Sequence, residues 1–293
     1  MKKMLLLAIL LALPALAGNS SGQSKAVPVA TAASHPLPKV DHIVVVVEEN
    51  HSYKKIAGNP SAPYMNELLS QGANLVNHYA TRHPSQPNYL DLFSGSNQGV
   101  TDDKPNHTFR SDNLAHQLAM RGLTFAGYSE GLPRAGYAGP YDLKTKYARK
   151  HNPWVDFANV PASANLPLAR FPQDYDKLPT VSFVIPNMDH DMHDGTIKAA
   201  DDWLKQRLGG YVKWAQTHNS LLILTWDEDD RSEKNQIPTV FVGPMVRKGD
   251  YKNRSDHFAV LRTIEDLYGL TPLGKAKKAG ALPIWKSDIA TRR

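Results

Sequence analysis

Ile43 to Val47 is an unbroken run of five β-branched residues that passes directly into Glu48-Glu49-Asn50-His51. A strand with no polar alternation has to be covered on both faces, the environment of a parallel sheet flanked by helices. The strand spans residues 40–47 on this reading, with further strands at 123–128, 180–186, 220–226 and 237–243. Helical periodicity and stop residues mark 62–71, 87–94, 114–121, 197–217 and 257–268, with Gly72, Gly95, Gly122 and Gly269 just past four of the ends. Alternating strands and helices predict an α/β fold with a mostly parallel central sheet sandwiched by helices. The loop-rich stretch 129–179 reads as an insertion in it, and no internal repeat is visible.

Composition narrows the chemistry. The 293 residues contain no Cys, which excludes a disulfide framework, a Cys-ligated zinc site, an iron–sulfur cluster and a thiol nucleophile. Hydrophobic content of 41% with 21% charged residues is globular rather than disordered. The formal charge is +6, but Lys2, Lys3 and the stretch from Lys275 to Arg293 account for +7 of it, leaving the body at −1. That distribution argues against nucleic acid as a partner. The basic tail reads as a solvated terminus, with contact to anionic lipids as its alternative.

Met1-Lys2-Lys3, an apolar run of about ten residues and Ala15-Leu16-Ala17 describe a signal peptide over 1–17. A Ser/Ala-rich flexible leader follows at 18–38, then one domain over 39–293. No Cys follows the cut and the apolar run is too short to span a bilayer. The expectation is therefore an exported protein, periplasmic or secreted, with no stable membrane anchor.

In open α/β sheets, ligands bind outside the carboxyl ends of the strands. Three strands deliver ionisable groups there: Glu48-Glu49-Asn50-His51, then Asn187 to Gly195 with Asp189, His190, Asp191, His193 and Asp194, then Asp227-Glu228-Asp229-Asp230. Carboxylates gathered without partners repel one another, and a divalent cation relieves this. Ser85 lies just ahead of the helix that begins with Pro87, where backbone N–H groups favour an anion. As a plain helix cap it would need no further role.

Glu48 to Tyr53, His83-Pro-Ser-Gln-Pro-Asn-Tyr89, Lys146 to His151 with Pro153-Trp154, Asp191 to Gly195, Thr225 to Asp230 and Asn235 to Pro238 together resemble the bacterial phosphoesterase family. That family holds secreted acid phosphatases and phospholipases C of the alkaline-phosphatase-like superfamily, and the likeness is greatest to the mycobacterial type of acid phosphatase. It covers almost the whole chain beyond the leader. The resemblance implies an alkaline-phosphatase-like sheet and Ser85 as the nucleophile that becomes phosphoserine. Glu49, Asn50, Asp227 and Glu228, with the Ser85 oxygen, would hold one divalent metal: Mg²⁺, Ca²⁺, Mn²⁺ or Zn²⁺. His193 and His257 would serve catalysis, and Lys150, His151, Asp191 and Asn88 the substrate. Asp189 and His193 have the spacing of a second-metal pair in other superfamily members, and His257 resembles the later histidine of two-metal members.

The expected reaction is hydrolysis of phosphate monoesters, with small phosphate esters and phosphoinositide head groups as substrates and an optimum on the acid side of neutral. Lys150, His151, His193 and His257 would meet the dianion, with histidines charged below about pH 6.5 also donating protons. A phospholipase C is the alternative, although no apolar insertion suited to two acyl chains is visible. Gly127-Tyr-Ser129-Glu-Gly131 offers a serine esterase with Asp227 and His257, against which Pro133, Gly136, Gly139 and Pro140 deny the helix that should follow Ser129. A sulfatase is opposed by Tyr89 where that family has Arg. A metal- or phosphate-binding protein is opposed by the lack of a duplicated lobe.

Overall fold

β1 (His42–Glu48) runs up the middle of the molecule, and its alternate residues feed two separate cores. Ile43, Val45 and Val47 pack on one face of the sheet, while Val44 and Val46 pack on the other, all at most 1% exposed. Side chains alternate across a strand, so covering both faces explains why every position from 43 to 47 is apolar. Each such side chain contributes about 1.5–3 kcal/mol on burial.

The computed structural model describes residues 37–287. The expected signal peptide at 1–17, the leader except its last two residues and positions 288–293 of the basic tail lie outside the described residues. Beside β1 the main sheet contains β2 (Ala73–Asn74), β3 (Phe125–Ser129), β4 (Asn165–Pro167), β5 (Val181–Ile185), β6 (Ser220–Trp226), β7 (Thr239–Val242) and β8 (Gly249–Asp250). Their order is β8-β2-β7-β6-β1-β5-β3-β4. β6, β1, β5, β3 and β4 pair in parallel, and β7 alone runs against its neighbours.

Helices cover both faces. α1 (Pro63–Gln71) and α4 (Ile197–Ala215) pack on the Val44 side; α2 (Ser85–Ser94), α3 (Leu114–Met120) and α5 (His257–Leu267) pack on the Ile43 side. Every residue of α2 is buried. That helix ends at Gly95, whose φ is +68° and whose missing Cβ leaves room for the Leu273 carbonyl, so glycine is required there twice over. The stretch 129–179 is more than a peripheral insertion: it adds β4 to the sheet edge and carries Lys150, His151 and Trp154 toward the centre. Among the described residues, no helix is long and apolar enough to cross a membrane.

The two helices on the Val44 face are locked by one buried carboxylate. Asp201 on α4 accepts hydrogen bonds from the Tyr64 and Met65 backbone N–H groups at 3.1 and 2.7 Å, satisfying the first turn of α1. Asp201→Ala would strand two buried donors and is expected to cost about 1–3 kcal/mol. The readout is a lower denaturant midpoint at unchanged m-value; an unchanged midpoint would show that the cap carries no stability.

Candidate active site

Neighbouring strands end side by side and turn their next residues into one buried pocket. Glu48 is in register with Trp226, so Glu49 and Asp227 emerge together from β1 and β6. Backbone bonds weld the ends: Asp227 N–H donates to the Glu48 carbonyl at 2.9 Å and Glu49 N–H to the Asp191 carbonyl at 2.8 Å. Asn50 sits in the left-handed region at φ +50°, which its short side chain tolerates, and its N–H donates to Asp227 Oδ1 at 3.1 Å.

Ser85 is the first residue of α2, one position beyond the cap, and makes no capping bond. Its hydroxyl instead donates to Glu49 Oε2 at 3.0 Å and lies 3.4 Å from Glu228 Oε1. One turn on, Tyr89 donates its hydroxyl to Glu49 Oε1 at 2.6 Å and stacks on the His151 ring at 5.2 Å. Tyr89 was not among the residues expected in the site, although four residues from Ser85 on a helix puts it on the same face. His83 was also missed; it bonds Glu228 through Nδ1 and approaches Asp229 through Nε2 at 3.4 Å. Asn88 occupies a different place from the one expected. Its amide accepts from Thr81 and Arg82 N–H and donates to the Arg82 and Pro84 carbonyls, so it braces the loop before Ser85 rather than facing a substrate.

His151 and Asp191 are enclosed as well. The His151 ring lies 3.1 Å from Glu49 Oε1 and 3.3 Å from Asp191 Oδ2, though neither contact has hydrogen-bond geometry. Burial, then Lys150 and His193, hold this imidazole well below its ordinary pKa, so it is neutral with a lone pair to offer. Glu49, His151 and Asp191 each present a ligand atom within 4.8 Å of the others, and this buried group can hold a metal ion. Lys150 and His193 are the partly exposed members. Lys150 Nζ lies 3.4 Å from His193 Nε2 and donates to Asp103 Oδ2 at 3.0 Å. Burial alone would lower the Lys150 pKa, but the charges of Glu49 and Asp103 outweigh that and raise it.

His257 lies behind the pocket. It is fully buried, its Nε2 is 2.8 Å from the Asp227 backbone carbonyl, and burial lowers its pKa. Neither His151 nor His257 is therefore the charged anion contact expected from the sequence. Asp189 is exposed and lies outside the buried group of Glu49, His151 and Asp191. Ser129 is buried and donates to Asn152. A Cβ on Gly127 would collide with the Trp154 ring, and Gly131 has φ +75°, so both glycines around Ser129 serve packing and a turn.

Several donor atoms have no partner. Asn50 Oδ1 and Asp227 Oδ2 are buried without a hydrogen bond. Burial followed by repulsion from Glu49 raises Asp227 well above the ordinary carboxyl range, and the same causes, with Asp103, push Glu228 up to about 8. Burial also raises Glu49. Oxygen donors crowded out of water fit a divalent cation, which would replace repulsion by attraction.

The phosphoesterase family model matches residues 60–271 of this chain. Over 264 residues the chain is 48% identical to the phosphatidylinositol-3-phosphatase of Mycobacterium tuberculosis, covering 89% of this chain and 88% of that relative. It is 32% identical over 253 residues to a probable acid phosphatase of Kluyveromyces lactis, covering 79% of this chain and 59% of the relative. A phosphate-repressible acid phosphatase of Penicillium chrysogenum is 30% identical, with 80% and 60% covered; the chain thus spans about three-fifths of these two fungal relatives. In fold it is similar to an alkaline phosphatase superfamily protein from Vibrio parahaemolyticus (TM-score 0.58, 14% identity, 84% of this chain and 72% of that one). The lipoteichoic acid synthase LtaP from Listeria monocytogenes gives a TM-score of 0.56 at 11% identity, covering 80% and 73%.

The raised carboxyls make a stability prediction. A carboxyl whose folded pKa exceeds its unfolded value contributes stability below the unfolded pKa and loses it as pH rises through the folded one. Chelated wild-type protein should therefore lose melting temperature relative to Glu228→Gln as pH rises from about 4.5, Glu228's ordinary value, through about 8, its raised value. Added divalent cation should restore the wild-type melting temperature most strongly at the alkaline end. A pH-independent difference between the two proteins in chelator would contradict the pocket's electrostatics.

Proposed function

The chain belongs to the phosphoesterase family, and we propose that it is an exported acid phosphatase that hydrolyses phosphate monoesters through a phosphoserine at Ser85. As a phosphoesterase it is a hydrolase of phosphate esters; the nucleophile, the metal and the substrate are the proposed parts. The carrying observation is the Ser85 hydroxyl, free of any capping role and directed at Glu49 and Glu228 inside a pocket of under-partnered oxygens.

One divalent cation would be held by Glu49, Asn50, Asp227, Glu228 and the Ser85 oxygen, and would neutralise the carboxylates and lower the pKa of the serine hydroxyl. The Ser85 proton passes to a neighbouring carboxylate, Glu49 or Glu228. Ser85 Oγ then bonds to phosphorus as the bond from phosphorus to the leaving alcohol breaks. Lys150 and the first-turn N–H groups of α2 receive the phosphoryl oxygens, whose negative charge they stabilise by position alone. His193, partly exposed beside Lys150, supplies the proton to the leaving oxygen. Water then attacks the phosphoserine, releasing phosphate and returning the hydroxyl. Asp191 and neutral His151 hold Glu49 in place, and buried His257 supports Asp227 from behind.

A second seat for a cation at Glu49, His151 and Asp191 is favoured by the convergence of their donor atoms. Elemental analysis separates the readings: one equivalent lost in Asp227→Asn supports the single-cation site, whereas two equivalents, one lost in Asp191→Asn, support both seats. Phosphoinositide head groups are proposed among the substrates on the strength of the mycobacterial relative's name, and an acid optimum on that of the fungal relatives' names. Export rests on residues 1–17 of the sequence, and residues 39–293 are proposed to form one phosphoesterase domain.

Ser85→Ala should lower turnover of p-nitrophenyl phosphate by about 10³-fold or more, while Ser129→Ala keeps most of it; the reverse result would move the chemistry to Ser129. A higher kcat/KM for p-nitrophenyl phosphate than for bis-p-nitrophenyl phosphate between pH 4 and 9 is the second expectation. Preference for the diester, or for phosphatidylcholine, would make the protein a phospholipase C-type enzyme.

A further inference from the structure

We infer that Asp103 is a built-in anion occupying the phosphoryl-binding position of the free enzyme, which substrate displaces and which in turn expels phosphate. The inference rests on the proposal that phosphate esters react at Ser85. Asp103 Oδ1 accepts from the backbone N–H of Gln86 at 3.0 Å, and Asp103 Oδ2 accepts from Lys150 Nζ at 3.0 Å. Gln86 N–H is the donor next to Ser85 in the first turn of α2, and Lys150 is the ammonium beside the site's carboxylates. A phosphoryl group attached to Ser85 Oγ would present its oxygens to these two donors. The Asp103 carboxylate matches that demand, with two oxygens, negative charge and one hydrogen bond to each donor.

Two features separate this contact from a structural ion pair. Asp103 stands on the polar stretch Thr101 to His107 with its side chain 32% exposed, so it can withdraw without opening the core. Arg149 and Asp156, in the neighbouring 3₁₀ turns, are only 9% and 1% exposed and tie together Ala138, His107 and Gln86 as a brace would. A carboxylate whose sole task was to orient Lys150 would also have no reason to take the N–H beside the nucleophile. If Asp103 stayed in place it would oppose the incoming dianion and compete for both donors. Its departure is therefore part of binding, and its return favours loss of phosphate. Affinity is lowered by the fraction of time the pocket is filled from within; removing an occupant present about 90% of the time gives about a tenfold gain.

The test uses the full protein carrying Asp103→Asn, which keeps the shape and removes the charge, and Asp103→Ala, which removes the occupant. Steady-state kinetics with p-nitrophenyl phosphate give KM and kcat, and competition with inorganic phosphate gives Ki. The expected result is a KM and a phosphate Ki each about tenfold lower, with kcat unchanged or reduced as product leaves more slowly. A raised KM and Ki in both variants would make Asp103 a positioning residue for Lys150, and unchanged values would make it a spectator; either overturns the inference. Calorimetric binding of inorganic phosphate to Ser85→Ala with and without Asp103→Asn reads the pocket without turnover, tighter binding in the double variant being the supporting result. Turnover by Ser85→Ala alone reports separately on the nucleophile, so failure of that assignment is distinguishable from failure of this one.

Discussion

Glu49 and Asp227 are fixed next to each other because β1 and β6 pair in register, and both are removed from water. With Asp191 and Glu228 this concentrates four carboxyl groups where none can ionise freely. The surroundings answer that constraint. Tyr89 and Ser85 donate to Glu49, the Asn50 backbone donates to Asp227, and Lys150 places a cation alongside. These bonds leave Asn50 Oδ1 and Asp227 Oδ2 unsatisfied, and the proposed cation is the remaining element that lets the pocket exist as charged oxygen.

The fold serves the constraint by rigidity. The helix that begins at Ser85 is buried along its whole length, and Asn88 holds the preceding loop by bonding four of its backbone groups. The stretch after β3 brings His151 and Lys150 across to the same place, anchored by Trp154 against Gly127 and by the Arg149–Asp156 pair. The partly exposed groups around the pocket are Lys150, His193 and Asp103. A rigid, buried oxygen cluster facing a partly exposed polar rim suits phosphoryl transfer, which depends on positioning more than on covalent assistance.

Much of this was legible in the residues. The β1 and β6 strands were readable because continuous apolar runs have few other uses, and the carboxylates following them were readable as a site because strand ends share an edge. The direction of β7 was not legible, since strand composition carries no orientation, and β2, β4 and β8 are too short to show a period. His151 is 102 positions from Glu49, so only resemblance to a family brought it near; its burial and neutrality were invisible. His257 was read correctly as a helix start, yet Asp256 caps that helix and the ring turns inward onto Asp227. Asn88 looked like a polar site residue because its motif surrounds Ser85, but an amide with four backbone partners within reach acts on the loop. Asp103 carries no motif in the sequence, and only the three-dimensional proximity of Lys150 and Gln86 gives it meaning.

The proposed chemistry requires the buried Ser85 hydroxyl to take the phosphoryl group. Rapid acid quench during turnover of a phosphomonoester, followed by peptide mass spectrometry, reads the bond directly, because phosphoserine survives acid and phosphohistidine does not. A phosphoryl group on the peptide containing Ser85, absent in Ser85→Ala, is the expected result. A fully active enzyme with no acid-stable phosphoryl group, or with one on another residue, would contradict it.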